Sequence, residues 1–220
     1  MDYNNKEVDY YSHVRLDLIG FGVEKSKNQK ILEIGAGFGD TLYYLKENGY
    51  ANQVIGIELY KDSAVLDKYS RVDEMLFGNV EELQTDHFSN NFDVILLPDV
   101  LEHLNNPSKV LLKSHNMLKE KGRIVVSMPN VRHYSVFNKI FLKGNFQYEA
   151  SGIFDYTHVR FYCKRNILEL LENNGFKVIK SKGSINSYKG KSIAKIINNI
   201  TFGMLEQLLT PQYFVVAIKK

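Results

Sequence analysis

The stretch Ile31-Leu-Glu-Ile-Gly-Ala-Gly-Phe-Gly-Asp40 constrains the fold more than any other part of the chain. Lys30 to Ile34 is a short apolar run that reads as a buried strand. Gly35, Gly37 and Gly39 follow at alternate positions. Glycine turns tightly and leaves its backbone N–H groups uncovered. Asp40 and Thr41 are N-cap residue types, and Leu42, Leu45 and Lys46 carry the pattern into a helix. A strand, a glycine loop and a helix start together form a shelf for a nucleotide-like ligand. They predict an α/β fold.

The segments downstream continue that alternation. Gln53–Glu58 reads as a second strand ending in an acid, 19 residues beyond Gly39. In nucleotide-binding α/β folds a carboxylate at that tip accepts hydrogen bonds from ribose hydroxyls. The competing role for Glu58 is the N-cap of the next helix, expected over Asp62–Tyr69. Glu74–Gly78 reads as a third strand, with Asn79 and Val80 directly after it. Phe92–Pro98 is nearly all apolar, as a central parallel strand should be. Asp99-Val-Leu-Glu-His-Leu104 follows, placing Asp99, Glu102 and His103 on one face if the turn is helical. Such a trio suits a divalent ion. His103 also suits a general base, a substrate partner or a structural histidine. A helix over Ser108–Lys119, a Lys121-Gly122 stop and a strand over Arg123–Met128 complete this half.

The spacing here is G-x-G-x-G with Glu33 two residues ahead, not the dinucleotide G-x-G-x-x-G. It resembles motif I of the class I S-adenosylmethionine-dependent methyltransferases. Asp99–Leu104 followed by Pro107 is similar to that family's motif IV. The resemblance implies a doubly wound Rossmann-like sheet of seven strands, ordered 3-2-1-4-5-7-6, with the last strand (Gln212–Lys219) antiparallel. It also implies S-adenosyl-L-methionine as cofactor, held by Glu33, Gly35, Ala36, Gly37, Glu58, Leu59, Asn79, Val80 and Asp99. The family commonly has Asp where Asn79 stands; the amide carbonyl of Asn79 would accept the same adenine hydrogen bond, or Asn79 is a turn residue. Some relatives hold Mg²⁺ through E-x-x-E-H at the motif IV position. The first acid here is Asp99, and no metal is expected.

Residues 131–163 interrupt the alternation with nine Phe and Tyr side chains, a composition unlike a linker. They are expected to fold over the site as a lid. Gly152–Phe161 resembles a G-x-x-D-x-T-H-x-R-F segment of a methyltransferase subfamily often found with bacterial polysaccharide and secondary-metabolite genes. Within it Asp155 would orient His158 as a base, and Arg160 would clamp an anionic substrate group. The alternative is a self-contained network that holds the lid down. At the other end, Tyr10, Val14 and Leu18 suggest a helix before Gly20 and Gly22, covering the cofactor, with Tyr11, His13 and Arg15 beside it. Arg15 would pair with the methionyl carboxylate or lie solvated.

Lys164–Gly175 reads as a helix stopped by Asn174-Gly175, Phe176–Lys180 as strand six, and 181–192 as a flexible loop. Ile193, Ile196, Ile197 and Ile200 then share one helical face. Core packing or a homodimer face is preferred there; basic residues at 189, 191 and 195 also suit a membrane surface.

With 220 residues the chain suits one domain, 1–220, with 1–29 as cover and 131–163 as lid. A net charge of +3 without an appended basic module disfavours nucleic acid, although the pI of about 8.7 leaves the question open. Cys163 is the only cysteine, which excludes an intrachain disulfide and a cysteine metal cluster. No apolar run approaches the roughly 20 residues of a membrane span, and no signal pattern opens the chain, so a cytoplasmic protein is expected. The function expected is methyl transfer by in-line displacement to a small-molecule or sugar acceptor, as an O-methyltransferase, with His158, His103 and Asp155 as catalytic candidates. An RNA or protein acceptor, a dinucleotide oxidoreductase and a scaffold without turnover are the alternatives.

Overall fold

The computed structural model describes residues 13–186 and 192–220. Tyr10, Tyr11, Lys189 and Lys191, singled out above, lie outside the described residues. Seven strands form one sheet: β1 (Lys30–Ile34), β2 (Gln53–Glu58), β3 (Glu74–Phe77), β4 (Phe92–Pro98), β5 (Leu118–Pro129), β6 (Phe176–Gly183) and β7 (Gln212–Lys219). Their order is β3-β2-β1-β4-β5-β7-β6, with β7 antiparallel to both neighbours, as expected.

Alternation along β1 shows how the core is divided. Leu32 and Ile34 join one buried cluster and Ile31 the other, because successive side chains leave a strand on opposite faces. On Ile31's side lie α1 (Leu16–Gly22) and α2 (Asp40–Glu47), through Leu18, Ile19, Leu42 and Leu45. The other face is closed by α4 (Pro107–Met117) and α6 (Lys164–Asn173), through Val110, Leu111, Ile167 and Leu171. Both faces are therefore dry, which is why β4 is apolar along nearly its whole length.

Several boundaries differ from expectation, each for a physical reason. α1 does not stop before Gly20; it runs through Gly22. A Cβ on Gly22 would lie 2.5 Å from Val125 Cγ1, so the missing side chain lets this helix approach the sheet. The cap of α2 is Gly39, left-handed at φ 81°, and not Asp40 or Thr41; Asp40 instead pairs with Lys68 and Arg71 at 3.2 and 3.0 Å. Asp62–Tyr69 is a 3₁₀ turn at Ser63–Val65, capped by Asp62, followed by α3 (Leu66–Tyr69). Lys121-Gly122 does not close a helix but lies within β5, where Lys121 is left-handed at φ 64°. β6 continues to Gly183, so strand occupies the start of the expected loop.

The segment after β5 forms α5 (Tyr134–Phe137) and a π-helical turn at Asn138–Leu142. Its irregular remainder includes an isolated bridge between Glu149 and Asp155. Near the C-terminus α7 (Ile193–Ile200) and α8 (Glu206–Leu209) precede β7. The isoleucine face of α7 is not core: Ile193, Ile196, Ile197 and Ile200 are all exposed. Among the described residues no helix is long and apolar enough to cross a membrane.

Candidate active site

The carboxyl ends of β1, β2 and β4 open into a cavity of about 920 Å³. All nine residues assigned above to the cofactor line it: Glu33, Gly35, Ala36, Gly37, Glu58, Leu59, Asn79, Val80 and Asp99. β1 and β4 are sheet neighbours flanking the point where strand order reverses, so their tips face one crevice.

The glycine loop works differently from an open shelf of N–H groups. Gly35 N and Ala36 N donate to the Ile57 carbonyl at 2.8 and 3.2 Å, and Gly37 N donates to Glu58 Oε2 at 2.8 Å. These donors tie the loop to the tip of β2. What the loop offers a ligand is the bare Cα surface of a tight turn, with Gly35 and Gly37 at φ 75° and 53°. A Cβ at Gly35 would meet Val100 at 2.7 Å.

Glu58 also accepts from Leu59 N at 2.7 Å, so backbone donors hold both carboxylate oxygens at the cavity wall. Burial raises its pKa, against those backbone hydrogen bonds. Glu33 is 2% exposed, and its Oε2 is buried without a hydrogen-bond partner. Burial pushes this carboxyl up to about 8; Arg15 pulls it down and Glu58 pushes it further up. An orphaned acid on a cavity wall suits a cationic or N–H-bearing ligand group. Asn79 lines the cavity, but its Oδ1 already accepts from Glu81 N at 2.9 Å, the turn role named as its alternative. Glu81 in turn accepts from Asn105 N and Asn106 N at 3.2 and 2.6 Å, closing the loop after motif IV.

Asp99 is left-handed at φ 52°, a conformation Asp tolerates better than most residues. Its side chain does not join Glu102 and His103 on one face. It takes Arg15 Nη1 at 2.7 Å, Ser127 Oγ at 3.0 Å and Gln212 Nε2 at 2.5 Å. Arg15 also pairs with Asp17 at 3.1 Å, so it is neither solvated nor open to a ligand carboxylate alone. Sequence reasoning missed Ser127 and Gln212. The signal for Gln212 was topological, because the first residue of an antiparallel strand lies beside the last residues of its parallel neighbours; Gln212 pairs with Pro129.

Beyond Asp99 a 3₁₀ turn at Leu101–His103 turns Glu102 inward and leaves His103 on the cavity wall. His103 Nδ1 meets the Thr157 carbonyl at 3.1 Å, and His158 Nδ1 meets the Ile153 carbonyl at 3.0 Å. A carbonyl only accepts, so both Nδ1 atoms carry a proton. Burial, then the neighbouring His158, holds His103 down at about 4. The two rings are 4.7 Å apart, and His158 Nε2 lies 4.0 Å from Glu102 Oε1. Glu102 is fully buried; neither oxygen has a hydrogen-bond partner, and burial raises its pKa well above the usual carboxylate range. Glu102, His103 and His158 each place one ligand atom within 4.8 Å of the others, the donor set that divalent cations use.

His158 and Asp155 are buried behind His103 and are not part of the cavity lining. Asp155 Oδ1 accepts from Thr157 N and Oγ1 at 2.9 and 2.7 Å. Arg160 does not face the cavity: Nε donates to the Leu104 carbonyl at 3.1 Å, and Nη2 to the Asn105 carbonyl. Val159 N and Arg160 N both donate to the Glu102 carbonyl, at 3.0 and 3.1 Å. The Gly152–Phe161 segment thus clasps the motif IV turn through its own hydrogen bonds.

Comparison with known proteins places this geometry. The family described as "Methyltransferase domain" matches residues 9–181. A mitochondrial ubiquinone biosynthesis O-methyltransferase of Saccharomyces cerevisiae is 30% identical over 127 residues, covering 56% of this chain and 41% of that protein. A Plasmodium falciparum phosphoethanolamine N-methyltransferase is 28% identical over 109 residues, covering 48% and 41%. The matches therefore span about two fifths of the length of these two relatives. Among solved structures, a SAM-dependent methyltransferase from Archaeoglobus fulgidus shares the fold at TM-score 0.61 and 19% identity, covering 92% of this chain and 90% of that one. Phosphoethanolamine N-methyltransferase 2 of Haemonchus contortus, in complex with S-adenosyl-L-methionine, does so at TM-score 0.60 and 18% identity, covering 92% and 51%. With the glycine turn after β1, the acid at the tip of β2 and the Asp99–Leu104 turn converging on one crevice, the chain belongs to the methyltransferase-domain family.

Proposed function

We propose that this chain transfers a methyl group from S-adenosylmethionine to a hydroxyl of a small molecule or glycan. The observation that carries this reading is the crevice itself, which joins an orphaned carboxylate at Glu33, the acid at Glu58 and the imidazole of His103 in one lining. S-adenosylmethionine supplies an activated sulfonium methyl when bound, so the chain has to align the partners, exclude water and manage one proton. Glu33 would take the amino group, Glu58 the ribose hydroxyls, and the bare turn at Gly35 and Gly37 the close approach between them. Asn79 and Val80 would meet the base. The yeast and Plasmodium relatives, named for ubiquinone biosynthesis and for phosphoethanolamine, support a small acceptor.

At about 4, His103 orients an acceptor hydroxyl more readily than it deprotonates one. The orphaned Glu102 favours a second reading of that step, in which a divalent cation held by Glu102, His103 and His158 lowers the hydroxyl pKa. A screen of phenolic, sugar and amine acceptors with labelled methyl donor tests the transfer, and RNA or protein acceptors in the same screen test the alternative. Calorimetry with S-adenosylhomocysteine and with NAD tests the cofactor site; binding of NAD alone would overturn the assignment. Activity that survives chelators removes the cation, and activity that also survives His103→Ala leaves alignment alone.

A further inference from the structure

α7 is turned inside out. The one side chain it buries is Asn198, while Ile193 and Ile200 are 78% and 71% exposed, and Phe202 and Met204 beyond them are 95% and 84% exposed. An outward apolar face of this size gains nothing from water and marks a surface that is covered in use. A second exposed apolar group lies on the segment after β5, where Phe137 and Phe141 stack at 5.2 Å beside Leu142. The chain just before this group is tied to the chain just after Met204. Arg132 donates to Gln207 Oε1 at 2.9 Å, and Asn130 Nδ2 donates to the carbonyls of Gln207 and Thr210, both at 2.7 Å.

Charge identifies the occupant. From Asn173 to Leu205 the sequence carries six lysines and neither Asp nor Glu. From Asn130 to Tyr148 it carries two lysines and one arginine, again without an acid, and Lys139 pairs with Glu149 just beyond, at 2.7 Å. A symmetric pairing of two copies would set these lysine-rich segments against themselves, which like charges oppose. Aliphatic and aromatic side chains projecting from lysine-rich segments, whose flanking Glu149 and Glu206 are each paired with a lysine, match the interface of an anionic bilayer, with apolar groups entering the acyl boundary and lysines reaching the headgroups. We propose that the exposed apolar groups of α7, Phe202 and Met204, and of the Phe137–Lys143 turn, dock this protein on an anionic lipid surface. The proposal is independent of which acceptor is methylated.

Flotation with phosphatidylcholine vesicles, with and without roughly one third phosphatidylglycerol, tests it. The protein is expected to float with the anionic vesicles, to detach in high salt, and to bind neutral vesicles about tenfold or more weakly. Phe202→Ser with Met204→Ser should lower anionic-vesicle binding about tenfold or more while S-adenosylhomocysteine affinity stays unchanged, showing that the fold survives. The natural sequence has no tryptophan, so Phe202→Trp reports this position alone. Its emission should shift to the blue on anionic vesicles and be quenched by lipids brominated in the acyl chain. No flotation, flotation indifferent to the double substitution, or an unquenched Trp would overturn the proposal. So would a dimer in sedimentation that the double substitution splits, since the face would then belong to a second copy.

Discussion

Glu33 lies at the end of β1 with an orphaned oxygen, and burial holds it at about 8. Its effect on pH dependence follows from which state binds more protons. In the native apo chain this carboxyl stays protonated up to about 8, whereas the unfolded chain loses the proton near 4.5, so this contribution to stability declines as pH rises between them. Glu33→Gln should flatten that slope in urea titrations run across the same range. Under the proposed role of Glu33, ligand binding runs the other way, because a cationic amino group needs the carboxylate. Affinity for S-adenosylhomocysteine should climb up to about tenfold per pH unit from roughly pH 6 to 8 in the natural protein, and stay flat in Glu33→Gln. Glu58 also holds Gly37 N and Leu59 N. Calorimetry on Glu58→Ala should show a loss of roughly 1.5–3 kcal/mol for the charged hydrogen bonds. Both acids were legible in the sequence, because a carboxylate at a strand tip beside a glycine turn has little packing use. Asp99 was legible as a site residue but not in its partners, since Arg15, Ser127 and Gln212 reach it from three other elements of the fold.

Elements were legible where one period ran uninterrupted, and their ends were not. α1 passes through two glycines because Gly22 buys contact with Val125 and Val216, an inter-element fact that propensity cannot contain. Gly22→Ala should cost about 1–3 kcal/mol in chemical denaturation, as overpacking does. The Gly152–Phe161 segment clasps the motif IV turn through Arg160 and two backbone donors to Glu102. Arg160→Ala should therefore speed amide exchange over Leu101–Asn105 and 152–161 while leaving S-adenosylhomocysteine affinity close to unchanged. An anion clamp would give the opposite pattern, with acceptor KM raised and exchange unaltered.

At the scale of the molecule, one crevice at the ends of three strands collects groups from residue 13 to residue 212. A ligand that binds only this assembled state stabilises all of it. At a hundredfold excess over its Kd, S-adenosylhomocysteine should add about 2.7 kcal/mol. That corresponds to roughly 5–10 °C in Tm for a chain of this size, read by calorimetry or dye fluorescence. NAD should leave Tm where it is.

The sequence by itself determined the strands, the tips that carry the site and the helices between them, because these follow from local period, glycine spacing and the acid that ends a strand. Tertiary structure alone decided what faces what. His103 and His158 sit ring to ring around Glu102 only because the segment after β5 folds back over the motif IV turn. The isoleucines of α7 share a face by period, but period gives a face no direction, and here it points outward.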